Sequence, residues 1–176
     1  PKYGVLLHYP LLKIFKECFP AGVINILFGS GRTTATPLMQ SGKIDVLAFI
    51  GTSNAASNLK QVHPRPPRLR SILGLAAKNP GIVLKDADLD IAVEECVTGA
   101  FSFNGQRCTA LKILFVHESI IDAFLDRFTK AVTKLKSGLP WEEGVKITEL
   151  PEIGKTAYLD DLVKDAVSKG AKIINE

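Results

Sequence analysis

The chemistry in this chain gathers around one cysteine. Ser102-Phe103-Asn104-Gly105-Gln106-Arg107-Cys108-Thr109 is a polar, glycine-containing stretch between a helical pattern and a strongly apolar one. A cysteine in such a loop can present its sulfur to a cleft, where a thiolate is a strong nucleophile. A neighbouring arginine, here Arg107, and backbone N–H groups are of the kind that favour a thiolate. Cysteine is equally at home as an inert buried side chain, so Cys108 alone defines no function. A second stretch suits binding. The apolar run at residues 44–50 enters Gly51-Thr52-Ser53-Asn54, and a helical pattern follows from Ala55. Unpaired N–H groups and the dipole at a helix start favour a phosphate. The same four residue types also make an ordinary turn and N-cap.

Both stretches need elements to hold them. Helical spacing runs over residues 88–101, opened by Asp86, Asp88 and Asp90, and residues 110–116 read as a buried strand. Upstream, residues 9–18 predict an amphipathic helix, 23–28 a buried strand, 36–42 a short helix, 44–50 a second buried strand and 55–62 a helix. Residues 63–70, with three arginines and three prolines, read as a solvated connector. Further on come a strand at 81–84, a long amphipathic helix capped by Ser119, an irregular loop at 146–155, a helix at 158–168 closed by Gly170, and the start of a strand at 171–175. Near-continuous apolar strands alternating with helices predict an α/β protein with parallel pairing.

Composition narrows the function classes. With 176 residues, 46% hydrophobic and 23% charged, the chain has material for a core. Its charge of +4 comes from interspersed residues, which argues against a nucleic-acid partner. Cys18, Cys96 and Cys108 are too few and too far apart for a disulfide framework and predict a reducing, cytoplasmic setting. His8, His63 and His117 are scattered without metal-site spacing, so no metal is expected. No apolar run reaches the roughly 18–20 residues a membrane span needs. The first residues, Pro1-Lys2, follow no signal-peptide plan and lack an initiator methionine, which suggests a fragment or a processed chain.

Taken together, Phe19-Pro20-Ala21-Gly22-Val23-Ile24-Asn25, Phe49-Ile50-Gly51-Thr52, Ala77-Lys78-Asn79-Pro80, Asp86-Ala87-Asp88-Leu89-Asp90 and Gly105-Gln106-Arg107-Cys108 resemble the aldehyde dehydrogenase superfamily, in its order and across essentially the whole chain. The Gln-Arg-Cys-Thr form looks most like the non-phosphorylating, NADP-dependent glyceraldehyde-3-phosphate dehydrogenase branch. The resemblance implies part of a Rossmann-like cofactor domain (residues 1–74) joined to part of an α/β catalytic domain (residues 75–176), incomplete at both ends. It implies Cys108 as nucleophile, with Arg107 and Thr109 on the substrate side and Phe49, Gly51 and Thr52 beside NADP or NAD. It also implies a small aldehyde substrate, glyceraldehyde 3-phosphate in that branch, and a homo-oligomeric parent. The CoA-acylating methylmalonate-semialdehyde dehydrogenases, which share Gly-Gln-Arg-Cys and an Ala-Lys-Asn sequence, are the alternative.

The chain also departs from the family. Aligned on Lys78-Asn79-Pro80, the general-base glutamate is Gly74, and the glycines after it are Ala76 and Ala77. Glycine cannot take a proton. Hydrolysis of the acyl enzyme then needs another group, the acyl group passes to a thiol such as CoA, or this copy does not turn over and serves only as a binding piece. The family's last glycine in the cofactor turn is here Ala56. Lys2 stands near the family's ribose-contacting lysine without its local sequence.

Overall fold

The computed structural model describes residues 4–175. Lys2 lies outside them. The chain forms two compact units, one through Ala76 and one from Ala77.

In the first unit, a short 3-10 turn leads into α1 (Tyr9–Cys18), whose Pro10 sits in the first turn, where its missing N–H costs nothing. The helix covers the residues its periodicity predicts. Residues 23–28 do not form the expected strand: they are irregular, with Val23 and Leu27 exposed. Among the described residues no strand pairs with them, and apolar sequence without a ladder partner does not hold a strand. The next helix, α2 (Gly31–Gln40), starts earlier than predicted and runs through Pro37. Ser30 explains the early start, because its carbonyl accepts the N–H and the hydroxyl of both Thr33 and Thr34.

Then come β1 (Val46–Gly51), α3 (Ser53–Gln61) and β2 (Arg70–Leu75), and β1 pairs in parallel with β2, Phe49 opposite Leu73 and Ile50 opposite Gly74. The sequence reading left β2 unassigned. Its one inward-packing run is short, and Ile72 and Gly74 face outward. Met39, Leu59 and Leu69 form the core, with Leu47 and Phe49 packed on it from β1. One face of the sheet is covered and the other is open, so Ile50 is exposed where a strand buried on both faces was expected. His63 is buried and structural. Arg65 donates its N–H to Nδ1, which leaves the ring proton on Nε2 facing the Ile44 carbonyl at 3.0 Å.

The second unit repeats the strand–helix–strand plan. It has β3 (Asn79–Val83), α4 (Leu89–Phe101) and β4 (Leu111–Val116), with β3 parallel to β4. Asp88 caps α4 by accepting the N–H groups of Asp90 and Ile91, a predicted helix start that the structure realises. Behind the sheet, α5 (Ile121–Thr133) packs on α4. Phe124, 1% exposed, meets Val83, Val93 and Cys96 in the core. Ser119 does not cap α5. His117 Nδ1 accepts the Ser119 N–H, and a 3-10 turn, Glu118–Ile120, precedes the helix. The segment expected to be an irregular loop begins as a strand: β5 (Lys136–Ser137) pairs with β6 (Val145–Ile147). After α6 (Lys155–Ser168) the chain turns through Gly170, and residues 171–175 are irregular, again with no ladder partner among the described residues. No described helix is long and apolar enough to cross a membrane.

Candidate active site

The cysteine loop connects α4 to β4. It lies at the amino end of β4, beside Asn79 at the amino end of β3, because register places Asn79 opposite Leu111. Its backbone is unusual for three residues running. Phe103 (φ 54°), Asn104 (φ 56°) and Gly105 (φ 64°) all adopt the left-handed region. Gly105 is required there: a Cβ would stand 2.7 Å from the Ala100 carbonyl oxygen. Asparagine tolerates this conformation, whereas a phenylalanine there is an outlier.

Side chains hold the loop from three sides. Asn79 Nδ2 donates to the carbonyl of Cys108 at 2.6 Å and to that of Ala110 at 3.0 Å. Both neighbours are acceptors, so only the NH2 end of the amide suits this position. Asn104 exchanges bonds with Thr148: its Nδ2 donates to the Thr148 carbonyl at 2.8 Å and its Oδ1 accepts the Thr148 N–H at 3.0 Å. Lys112 Nζ donates to the Gly105 carbonyl. Lys112 has this reach because the β3–β4 register slips between Asn79 and Pro80 and bulges it out of the ladder.

The loop presents Arg107, Cys108 and Thr109 at its surface, all exposed. The Arg107 guanidinium lies 5.1 Å from the Phe103 ring centroid and 3.5 Å from Ser102 Oγ. Among the described residues no carboxylate forms an ion pair with it. Cys96 is buried, and that burial, with Glu95 second, pushes its thiol pKa up, which favours the protonated thiol.

In the first unit, Phe49 and Gly51 meet directly, since a Cβ on Gly51 would stand 2.6 Å from Phe49 Cζ. Thr52 caps α3, its Oγ1 accepting the Ala55 N–H at 3.2 Å, and its carbonyl accepts the Ala56 N–H. The first-turn N–H groups of Ser53 and Asn54 have no helical acceptor of their own. Beside this turn a cleft of about 360 Å³ is lined by Ser30, Gly31, Arg32, Phe49, Ala55 and Asn58 among others. Sequence reasoning missed Ser30 and Arg32, because Gly29-Ser30-Gly31 read as the end of a strand. The signal was there in the Thr33-Thr34 pair that follows, which suits a helix start.

The arrangement thus joins an α/β unit with a phosphate-type strand-to-helix turn to a second α/β unit presenting a tethered, exposed cysteine beside an arginine. The sequence comparisons place these two units in a family. Residues 2–176 match the model of the aldehyde dehydrogenase family, and the chain belongs to that family. It is 33% identical to the NADP-dependent glyceraldehyde-3-phosphate dehydrogenase of Streptococcus equinus over 98% of this chain and 36% of that one. It is 38% identical to human aldehyde dehydrogenase 1A1 over 91% of this chain and 32% of that one. Among solved structures, the NADP-dependent glyceraldehyde-3-phosphate dehydrogenase of Bacillus halodurans C-125, complexed with NADP, superposes with a TM-score of 0.84 at 30% identity. That match covers 94% of this chain and 34% of the other. The chain therefore spans about a third of the length of these relatives.

Proposed function

We propose that the whole protein oxidises glyceraldehyde 3-phosphate with NADP, using Cys108 as nucleophile. The observation that carries this reading is the loop itself. Cys108 is exposed, its own carbonyl is held by Asn79, and the adjacent Arg107 has no carboxylate partner among the described residues. Relatives named as NADP-dependent glyceraldehyde-3-phosphate dehydrogenases support this substrate.

The residues of the first unit fit a dinucleotide. Gly51 lets the Phe49 ring pack where a Cβ would stand, α3 offers N–H groups, and the cleft beside Phe49 adds volume and the cation Arg32. Phe49, Gly51 and Thr52 would hold the cofactor, and when bound it accepts a hydride. The Cys108 thiolate attacks the aldehyde carbon, forming a C–S bond and an oxyanion that the Cys108 backbone N–H stabilises. Loss of hydride from that carbon leaves a thioester on Cys108. Arg107 meets the substrate phosphate with a planar fork of donors. Thr109 completes the substrate side. Attack by water on the thioester then releases the acid and restores the thiolate.

Gly74 favours a second reading of this last step. It lies in β2 opposite Ile50 and offers no carboxylate to activate water, so a thiol such as CoA is the alternative acceptor, giving an acyl-thioester product. The test is NADPH formation by the full-length enzyme from glyceraldehyde 3-phosphate, with and without CoA. Steady turnover without CoA that disappears in Cys108→Ala supports hydrolysis. One equivalent of NADPH followed by a stall that CoA relieves supports acyl transfer. No NADPH in either case refutes both.

A further inference from the structure

Phe103 sits against both of its ordinary preferences. Its backbone is left-handed (φ 54°, ψ 40°), and its side chain is 74% exposed. A bulky residue in that region is an outlier, and such outliers persist only where surrounding structure holds them. The Asn104–Thr148 exchange and the Lys112 bond to the Gly105 carbonyl supply that hold immediately downstream. What the strained conformation achieves is a contact with Arg107. The ring lies under the guanidinium at 5.1 Å, within cation–π range. Among the described residues the other polar contact of the guanidinium is the long 3.5 Å approach to Ser102 Oγ, so the ring is its main support there. A guanidinium held over an aromatic face by the ring quadrupole does not spend its N–H donors on that contact, so they remain for an oxyanion.

We infer that Phe103 is a positioning residue for Arg107: its ring holds the guanidinium at the cysteine loop, so that a substrate with a terminal phosphate is preferred to the same aldehyde without one. The inference rests on the reading of Arg107 as the phosphate contact. Phe103 itself touches no reacting atom. Its contribution is to selectivity for the charged end of the substrate, and neutral aldehydes are indifferent to it.

The test uses the full-length protein and two reagents that alkylate Cys108, anionic iodoacetate and neutral iodoacetamide. The ratio of their rates reports the cation beside the sulfur and needs no turnover. Phe103→Gly removes the ring and suits the positive φ, so it does not depend on a variant that misfolds. It is expected to lower the iodoacetate-to-iodoacetamide ratio about threefold, the size of an exposed cation–π contact, while the iodoacetamide rate holds. Phe103→Tyr keeps the ratio, and Arg107→Leu lowers it further. In turnover, Phe103→Gly raises KM for glyceraldehyde 3-phosphate by a similar factor and leaves KM for glyceraldehyde and both kcat values in place. If Arg107→Leu lowers the ratio and Phe103→Gly does not, Phe103 has no positioning role and Arg107 keeps its own. If Arg107→Leu leaves the ratio unchanged, the phosphate reading of Arg107 falls and the inference falls with it. Equal slowing of both reagents in Phe103→Gly, or a Phe103→Tyr variant that behaves like the glycine, assigns Phe103 to loop folding and overturns the inference.

Discussion

The turn after β1 and the loop before β4 place their functional groups by opposite means. The β1 turn lies at the carboxyl end of a parallel strand and works with backbone. Gly51 makes room, Thr52 caps α3, and the next N–H groups point outward from the helix start. The cysteine loop lies at the amino end of β4 and works with side chains. Asn79 and Lys112 bind its carbonyls from the strands, and its own Asn104 side chain anchors to the Thr148 backbone. A group that must bind an anion can be part of a regular helix start, which any α/β crossover provides. A nucleophile that must project from an irregular loop needs its backbone fixed from outside, because the loop has no ladder of its own.

That contrast predicts where each unit breaks. Gly105→Ala combines a positive φ with a Cβ 2.7 Å from the Ala100 carbonyl oxygen. It should destabilise the second unit by about 2–4 kcal/mol, seen as a fall in its urea midpoint, and the first unit should hold its own midpoint. A common shift of both would mean that the two units unfold as one and would dissolve the comparison. Asn79→Ala comes next. It strands the Cys108 and Ala110 carbonyls at a cost of about 1–3 kcal/mol. Amide exchange should then accelerate in the cysteine loop and stay slow in α4. Unchanged exchange in the loop would show that Lys112 and Thr148 suffice to hold it.

These tethers mark the limit of what the sequence could tell. The βαβ plan, α1, the Asp88 cap, the Gly51-Thr52 turn and the Gly105-Gln106-Arg107-Cys108 loop were legible, because each is encoded by neighbours in the chain. The Asn79 bond to Cys108 spans 29 residues and the Asn104 bond to Thr148 spans 44. The first depends on the β3–β4 register and the second on a segment far along the chain, and no local pattern announces either. Residues 23–28 and 171–175 show the reverse error. Their apolar composition reads as strand, but a strand exists only with a partner to pair with, and composition does not say whether one is present. The structure continues β2 through Gly74 to Leu75 and divides just past it.

Thr52→Ala sharpens the comparison from the other side. It removes the acceptor of the Ala55 N–H and should cost the first unit about 1 kcal/mol. Thr52→Ser restores most of it. Because the cap is local to α3, the iodoacetamide rate at Cys108 should not change. A change there would mean that the two sites are coupled, contrary to their separate means of support.

The smallest expected effect separates the units by pH. Cys96 is buried against Phe124 and Val93, and burial, reinforced by Glu95, raises its thiol pKa above the ordinary value of 9.0. The folded state therefore holds the proton more tightly than the unfolded chain does. This contribution to stability is present in full below the unfolded thiol pKa, and it is lost as pH rises through the higher folded value. The second unit should thus weaken as pH climbs past 9, with Cys96 labelling appearing only as it opens. The thiol of the first unit, Cys18, is exposed. Cys96→Val fills a similar space and cannot ionise, so it should flatten the alkaline loss in the second unit and leave the first unchanged. An alkaline loss that persists in Cys96→Val would assign it to other groups. It would also remove the thiol as the cause.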